Sequence, residues 1–178
     1  MRGCHDTVDR DVTIGVNLVS TAVDVDWLVL IDRPDSFGPM LPDLVTGRHQ
    51  HAVVTNCYDP HWRHHIPDAW SALAIPLGGA MVPEPWDHIP YGWMSVNNGS
   101  TYAALSLASY FGCTTIYLGG ADYTQSHKWG DDAMLLKADV GYMALRYRIE
   151  AEGGHVYNAS SLSRLKAFDP CPSTTTSA

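Results

Sequence analysis

One stretch restricts what this chain can fold into more than any other: NNGSTYAALSLASYFGCTTIYLGGADYTQSHKW, from Asn97 to Trp129. Polar Asn97, Asn98, Gly99 and Ser100 come first; Ala103, Ala104, Leu107, Ala108 and Phe111 then recur at helical spacing until Gly112 stops the helix. The run Thr115 to Leu118 predicts a short buried strand, and it leads into Gly119, Gly120 and Asp122. A carboxylate just past a strand's carboxyl end stands where open α/β sheets hold their ligands. The amino end of the preceding helix carries exposed N–H groups and a positive partial charge, which suits an anion. A helix head beside a strand tip that presents an acid is the layout of a nucleotide site.

The flanking sequence repeats the alternation. Val12 to Val16, closed by Asn17, predicts a short buried strand; Val25 to Asp32, VDWLVLID, predicts a second that again ends on a polar residue. Asn17 is either a turn former or a donor and acceptor toward a base or sugar. Arg33, in the turn Asp32 to Asp35, would meet a phosphate or pair with a neighbouring Asp. A third strand is expected from Ala52 in HQHAVVTN, and a short apolar strand or extended segment over Ala72 to Leu77. From Gly78 to Tyr91 prolines and glycines interrupt any regular element, which predicts a flexible loop over the site. Trp86, Tyr91 and Trp93 would either stack on a base or cap the core.

Downstream, Asp131 and Asp132 open a helical stretch through Leu135, Leu136, Val140, Met143, Ala144 and Tyr147, which Gly153 and Gly154 end. His155 to Asn158, HVYN, predicts a last strand, and Ala159 to Phe168 a closing helix with Leu162 and Leu165 inward. Strands alternating with helices predict a mostly parallel sheet covered by helices on both faces.

Composition narrows the function. A chain of 178 residues that is 46% hydrophobic is long and apolar enough for one domain, expected over 1–168, with a polar flexible tail over 169–178. A formal charge of −8 argues against a broad nucleic-acid surface, which needs clustered Lys and Arg. Cys4, Cys57, Cys113 and Cys171 form no CxxC pair, so reduced thiols in a cytoplasmic protein are expected rather than a zinc site or disulfide framework. His61, His64 and His65 have the proximity of metal ligands, but their proline-bounded loop lacks a carboxylate at matching spacing; no metal site is assigned. With no long apolar run and no signal peptide, neither a membrane span nor secretion is expected.

The run STYAALSLASYFGCTTIYLGGADY, then SHKWGDD, a long helix and GGHVYNASSLSRLKAF resemble the Rossmann-like family that joins bacterial sialyltransferases with motility-associated-factor and 6-hydroxymethylpterin diphosphokinase-like proteins, uncharacterised phage members included. The resemblance covers Thr13 to Phe168. It implies a Rossmann-like three-layer α/β sandwich and, for a phage member, the host cytoplasm. The family opens with a strand and a Gly-x-Gly-Pro-Ser-Leu turn at the donor phosphates; nothing before Asn17 matches that, so the chain reads as an amino-terminally shortened member or a fragment.

The resemblance also implies roles. Asn17 and Asp32 correspond to two residues that contact the nucleotide of a CMP-sugar donor, Ser100 and Thr101 to the donor-contacting pair at a helix start, and Gly120 and Asp122 to the Gly-x-Asp after the central strand. The loop SHKWGDD resembles the one that carries the general base: His127 matches its first histidine, while Asp131 stands where the second is expected. Tyr123 would partly replace the tyrosines that support the phosphate.

The expected activity is therefore that of a nucleotide-sugar-dependent glycosyltransferase acting on a glycan or similar small acceptor, with His127 as base and Asp131 as its orienting partner or replacement. No cofactor is needed for that chemistry. In that reading Asp122 would bind ribose hydroxyls; if it instead holds Mg²⁺ on a triphosphate, the expectation becomes a diphosphokinase of the pterin type. A binding module that kept the sheet and lost catalysis is the third class, and in any of them the chain could act as a homo-oligomer. Capping of the following turn is the structural alternative for Asp122.

Overall fold

The computed structural model describes residues 11–46, 49–54, 77–78, 94–95, 99–123 and 132–172. It is a mixed helix and strand fold in which every strand pairing is parallel. The chain forms two compact units, Met1–Gly112 and Cys113–Ala178.

In the first unit, β1 (Ile14–Val16), β2 (Val25–Leu30) and β3 (His49–Val54) form a parallel sheet in the order β1-β2-β3. Ile14 pairs with Trp27 and Val16 with Val29; Val25 pairs with His49 and Leu30 with Val54. Each strand begins or ends within two residues of its expected bounds. The central strand β2 reads as a near-continuous apolar run because it is covered on both faces. Alternation along β2 sends Leu28 and Leu30 to one side, where they pack in a buried cluster with Phe37 and Leu44. It sends Trp27 to the other side, where its ring lies 5.0 Å from that of Phe111. Leu44 belongs to a short helix, α1 (Leu41–Val45). A two-stranded parallel pair, β4 (Leu77–Gly78) and β5 (Met94–Ser95), lies in the same unit.

Phe111 follows α2 (Ser100–Tyr110), the helix expected from the sequence. Tyr102, Ala103, Leu105, Ser106, Leu107 and Ala108 are buried, and the helix packs against β1 and β2. Gly112 ends it at φ +80°, a conformation that costs an L-residue about 1–2 kcal/mol, with its N–H bonded to the Ser109 carbonyl.

In the second unit, β6 (Thr115–Leu118), β7 (His155–Asn158) and β8 (Asp169–Pro170) make a parallel sheet in the order β6-β7-β8. Strands β6 and β7 have the bounds the sequence predicts. Between them runs α3 (Asp132–Ala151), whose residues Ala138, Tyr142, Leu145 and Ile149 are buried at helical spacing. Leu136, Val140, Met143 and Tyr147, part of the apolar pattern that announced this helix, are exposed. Two hydrogen bonds close α3: the Gly154 N–H to the Ile149 carbonyl and the Gly153 N–H to the Glu150 carbonyl, with Gly153 at φ +86°. Arg146 ties the helix to β8, its guanidinium 2.7 Å from Asp169 and 3.0 Å from the Ala167 carbonyl.

The closing helix expected over Ala159 to Phe168 does not form. Its residues make turns instead, because Ser and Asn side chains take the backbone donors that a helix would use. Asn158 Oδ1 accepts the Ser160 N–H, Ser160 Oγ the Leu162 N–H and Ser163 Oγ the Leu165 N–H. Asp139 on α3 accepts the N–H groups of Lys166 and Ala167. Leu165 is buried as expected, but Leu162 is 72% exposed. Asp169 and Pro170, placed in the tail by the sequence, pair with β7.

Candidate functional site

In a parallel sheet every strand ends at the same edge, so the polar residues that follow the strands collect there. The first unit shows this for β1 and β2. Asn17, directly after β1, has φ +51°, in the left-handed region that asparagine tolerates better than other side chains apart from glycine. Its Oδ1 accepts a hydrogen bond of 3.1 Å from Ser100 Oγ, at the first turn of α2. Gly99, before Ser100, has φ +93°, and a Cβ there would lie 3.9 Å from Ile31 Cδ1, so the head of α2 also adjoins the end of β2. Asp32 is the next residue on that edge, and Thr101 the next on the helix.

The helix head is electrostatically open. Ser100 directs its hydroxyl to Asn17, Gly99 has no side chain to cap with, and no acidic residue occupies the first turn. The first intrahelical bond runs from the Ala103 N–H to the Gly99 carbonyl, which leaves the preceding amides without a side-chain cap. Uncapped amides and an uncompensated dipole favour an anion. Ser20, in the turn that follows Asn17, is fully buried, and its hydroxyl has no hydrogen-bond partner among the described residues.

The second unit gathers a separate set at the ends of β6 and β7. Gly120 takes φ +73° and Tyr123 φ +52° in the turn after β6. Asp122 lies between them and accepts the Ser160 hydroxyl at Oδ1. Two further bonds fasten the turn to the segment after β7: Ser163 Oγ to the Ala121 carbonyl at 2.8 Å and the Arg164 N–H to the Asp122 carbonyl at 2.8 Å. Asp122 Oδ1 is thus bonded across to the neighbouring strand's loop, while the turn it was expected to cap lies outside the described residues. The Tyr123 hydroxyl shares a hydrogen bond of 2.9 Å with the buried Tyr142 hydroxyl. Burial pushes the Tyr123 phenol above its usual range, the bond from Tyr142 opposes this, and the Asp139 carboxylate adds to it.

Family models, curated proteins and solved structures each yield no match to this chain. The geometry stands by itself.

The sequence-predicted residues thus divide. Asn17 and Ser100 are brought into contact in the first unit; Thr101 follows Ser100 on the helix, and Asp32 follows Ile31, which adjoins the helix head. Gly120, Asp122 and Tyr123 lie together in the second. His127 and Asp131 fall outside the described residues, as do His61, His64, His65, Trp86, Tyr91 and Trp93. Among the described residues no group of three or more His, Cys, Asp and Glu side chains is placed to hold a metal ion, and no helix is long and apolar enough to cross a membrane. Sequence reasoning missed Asn158 and Ser160. Their signal was the polar run Asn158, Ser160, Ser161, Ser163 directly after a strand, a pattern that favours side-chain to backbone turns over a helix.

Proposed function

We propose that this chain binds a nucleotide through the polar ends of its parallel strands and acts as a nucleotide-sugar-dependent glycosyltransferase on a glycan or similar acceptor. The observation that carries the reading is the Ser100–Asn17 hydrogen bond at the uncapped head of α2. It holds a strand-end amide against a helix amino terminus, and the bond occupies Asn17 Oδ1 while its amide nitrogen remains a donor. Such a head favours a phosphate, and an adjoining amide recognises a base or sugar. Within the second unit, Asp122 has one carboxylate oxygen on Ser160 and the other available as an acceptor.

The reading extends the family resemblance seen in the sequence, with its Rossmann-like three-layer sandwich. In it His127 takes the acceptor hydroxyl's proton and Asp131 orients or replaces it. Calorimetric titration with CMP, UDP and ATP, each with and without Mg²⁺, tests it. Binding of CMP that is indifferent to the metal is the expected result. Binding of ATP only with Mg²⁺ would replace the transferase by a diphosphokinase, and silence toward all three would end the nucleotide reading.

A further inference from the structure

Asn158 is the last residue of β7 and is only 6% exposed. Its Oδ1 accepts the Ser160 N–H at 3.1 Å, and this bond fixes which end of the amide is which, because a backbone N–H requires an acceptor. The other end, the NH₂ group, has no partner among the described residues. Ser20 Oγ is the one sealed, unpaired side-chain atom found among those residues, so the Asn158 NH₂ retains an opening to solvent. A nearly buried amide whose donors reach only solvent is satisfied by water or by a ligand that displaces it.

Asp122 presents the complementary group. Leu118 and Asn158 are register partners, so Asn158 and the turn that carries Asp122 leave adjacent strands at one edge. Ser160 bridges the two side chains: its N–H goes to Asn158 Oδ1 and its hydroxyl proton to Asp122 Oδ1. Ser160 Oγ also accepts the Leu162 N–H at 3.3 Å, so the serine has no proton left for a ligand and acts as a positioning residue. What remains is one amide donor on Asn158 and one carboxylate acceptor, Oδ2 of Asp122. Their orientations are set by the same bridge.

We infer that Asn158 and Asp122 form a recognition pair for a vicinal diol, one hydroxyl donating to Asp122 and its neighbour accepting from Asn158. An anionic group would be repelled by the carboxylate, and a cation would gain nothing from the NH₂ group; a pair of adjacent hydroxyls uses both. This rests on the nucleotide reading above, in which the diol is that of the ribose.

The test is calorimetric titration of the full chain with CMP and with 2′-deoxy-CMP. The wild type is expected to bind CMP about 10- to 100-fold more tightly, because a site built to bond a hydroxyl is left unpaired by the analogue that lacks it. Asn158→Asp keeps the acceptor for Ser160 but turns the donor into a second carboxylate close to Asp122; if Asn158 bonds the 2′-hydroxyl the ratio falls to about 1, and if it bonds the 3′-hydroxyl both ligands weaken alike. Asp122→Asn, at a half-buried position, reads the other half of the pair: the ratio should fall to about 1 in whichever variant alters the residue that bonds the 2′-hydroxyl, and both ligands should weaken alike in the other. A wild-type ratio near 1, or a preference that survives in both folded variants, overturns the diol assignment and leaves nucleotide binding standing. Absence of binding to CMP, UDP and ATP alike overturns both.

Discussion

Asn17 offers the sharpest test of how local conformation is linked to the candidate site, because its backbone and its side chain make separable contributions. The backbone sits at φ +51°. For an ordinary L-residue that conformation costs about 1–2 kcal/mol, less for Asn, and nothing sterically for Gly. The side chain accepts the half-buried bond from Ser100 at 3.1 Å, a contribution of about 1 kcal/mol. Asn17→Ala should lose the bond and incur the left-handed cost, for a total of about 2 kcal/mol. Asn17→Gly should lose the bond and relieve the smaller strain of Asn, and the extra freedom of glycine in the unfolded chain offsets that relief, for a net loss of about 1 kcal/mol. Ser100→Ala should cost about 1 kcal/mol, the bond alone.

Equilibrium unfolding in urea measures these differences as shifts in midpoint at unchanged slope. In the Asn17→Gly, Ser100→Ala double variant the two losses should not add, since each removes the same bond, which leaves a coupling of about 1 kcal/mol. Nucleotide titration then separates structure from function: Asn17→Gly should stay folded yet bind more weakly, because the amide is gone. Equal destabilisation by Gly and Ala would refute the backbone argument, and strict additivity in the double variant would refute the bond. Wild-type nucleotide affinity in a folded Asn17→Gly would remove Asn17 from the ligand.

Two other perturbations have a definite sign. Ser20→Ala removes a buried hydroxyl that has no partner among the described residues, so it should raise stability by about 1 kcal/mol; an equal fall would show that the hydroxyl is bonded. Tyr142→Phe removes the bond that lowers the Tyr123 phenol against burial and Asp139, so the Tyr123 phenolate should appear at still higher pH in an ultraviolet absorbance titration. A folded-state value raised above the ordinary 10.0 means that the native state holds its proton longer than the unfolded chain does. Stability from Tyr123 is therefore complete below pH 10.0 and declines as pH rises from there through the folded value. A phenolate that moves to lower pH in Tyr142→Phe would contradict the bond's direction.

How far the sequence could be read depended on whether neighbouring residues or distant ones decide the conformation. Strands β6 and β7 are short runs of β-branched, aromatic and apolar residues with glycine close by, and α2 ends at a glycine that the helix terminus needs; these signals are local, and the observed bounds follow them. The segment after β7 is different. Its apolar spacing at Leu162 and Leu165 suits a helix, yet three side-chain acceptors of its own and Asp139 from α3 take the backbone donors first. Helical periodicity carries no information about that competition, although the density of Ser and Asn does. The same competition made Asn158 hard to recognise. A strand-ending asparagine is ambiguous by itself, and only its nearly complete burial, with Oδ1 held by Ser160 and the NH₂ without a partner among the described residues, distinguishes a turn former from a group facing a ligand. Asn17 reaches an analogous state by another route, through a left-handed backbone and a bond to a residue far along the chain. In both units the amide that ends a strand has its oxygen committed within the protein and its nitrogen available, so the residue type alone could suggest a site, while its hydrogen-bond direction had to come from the fold.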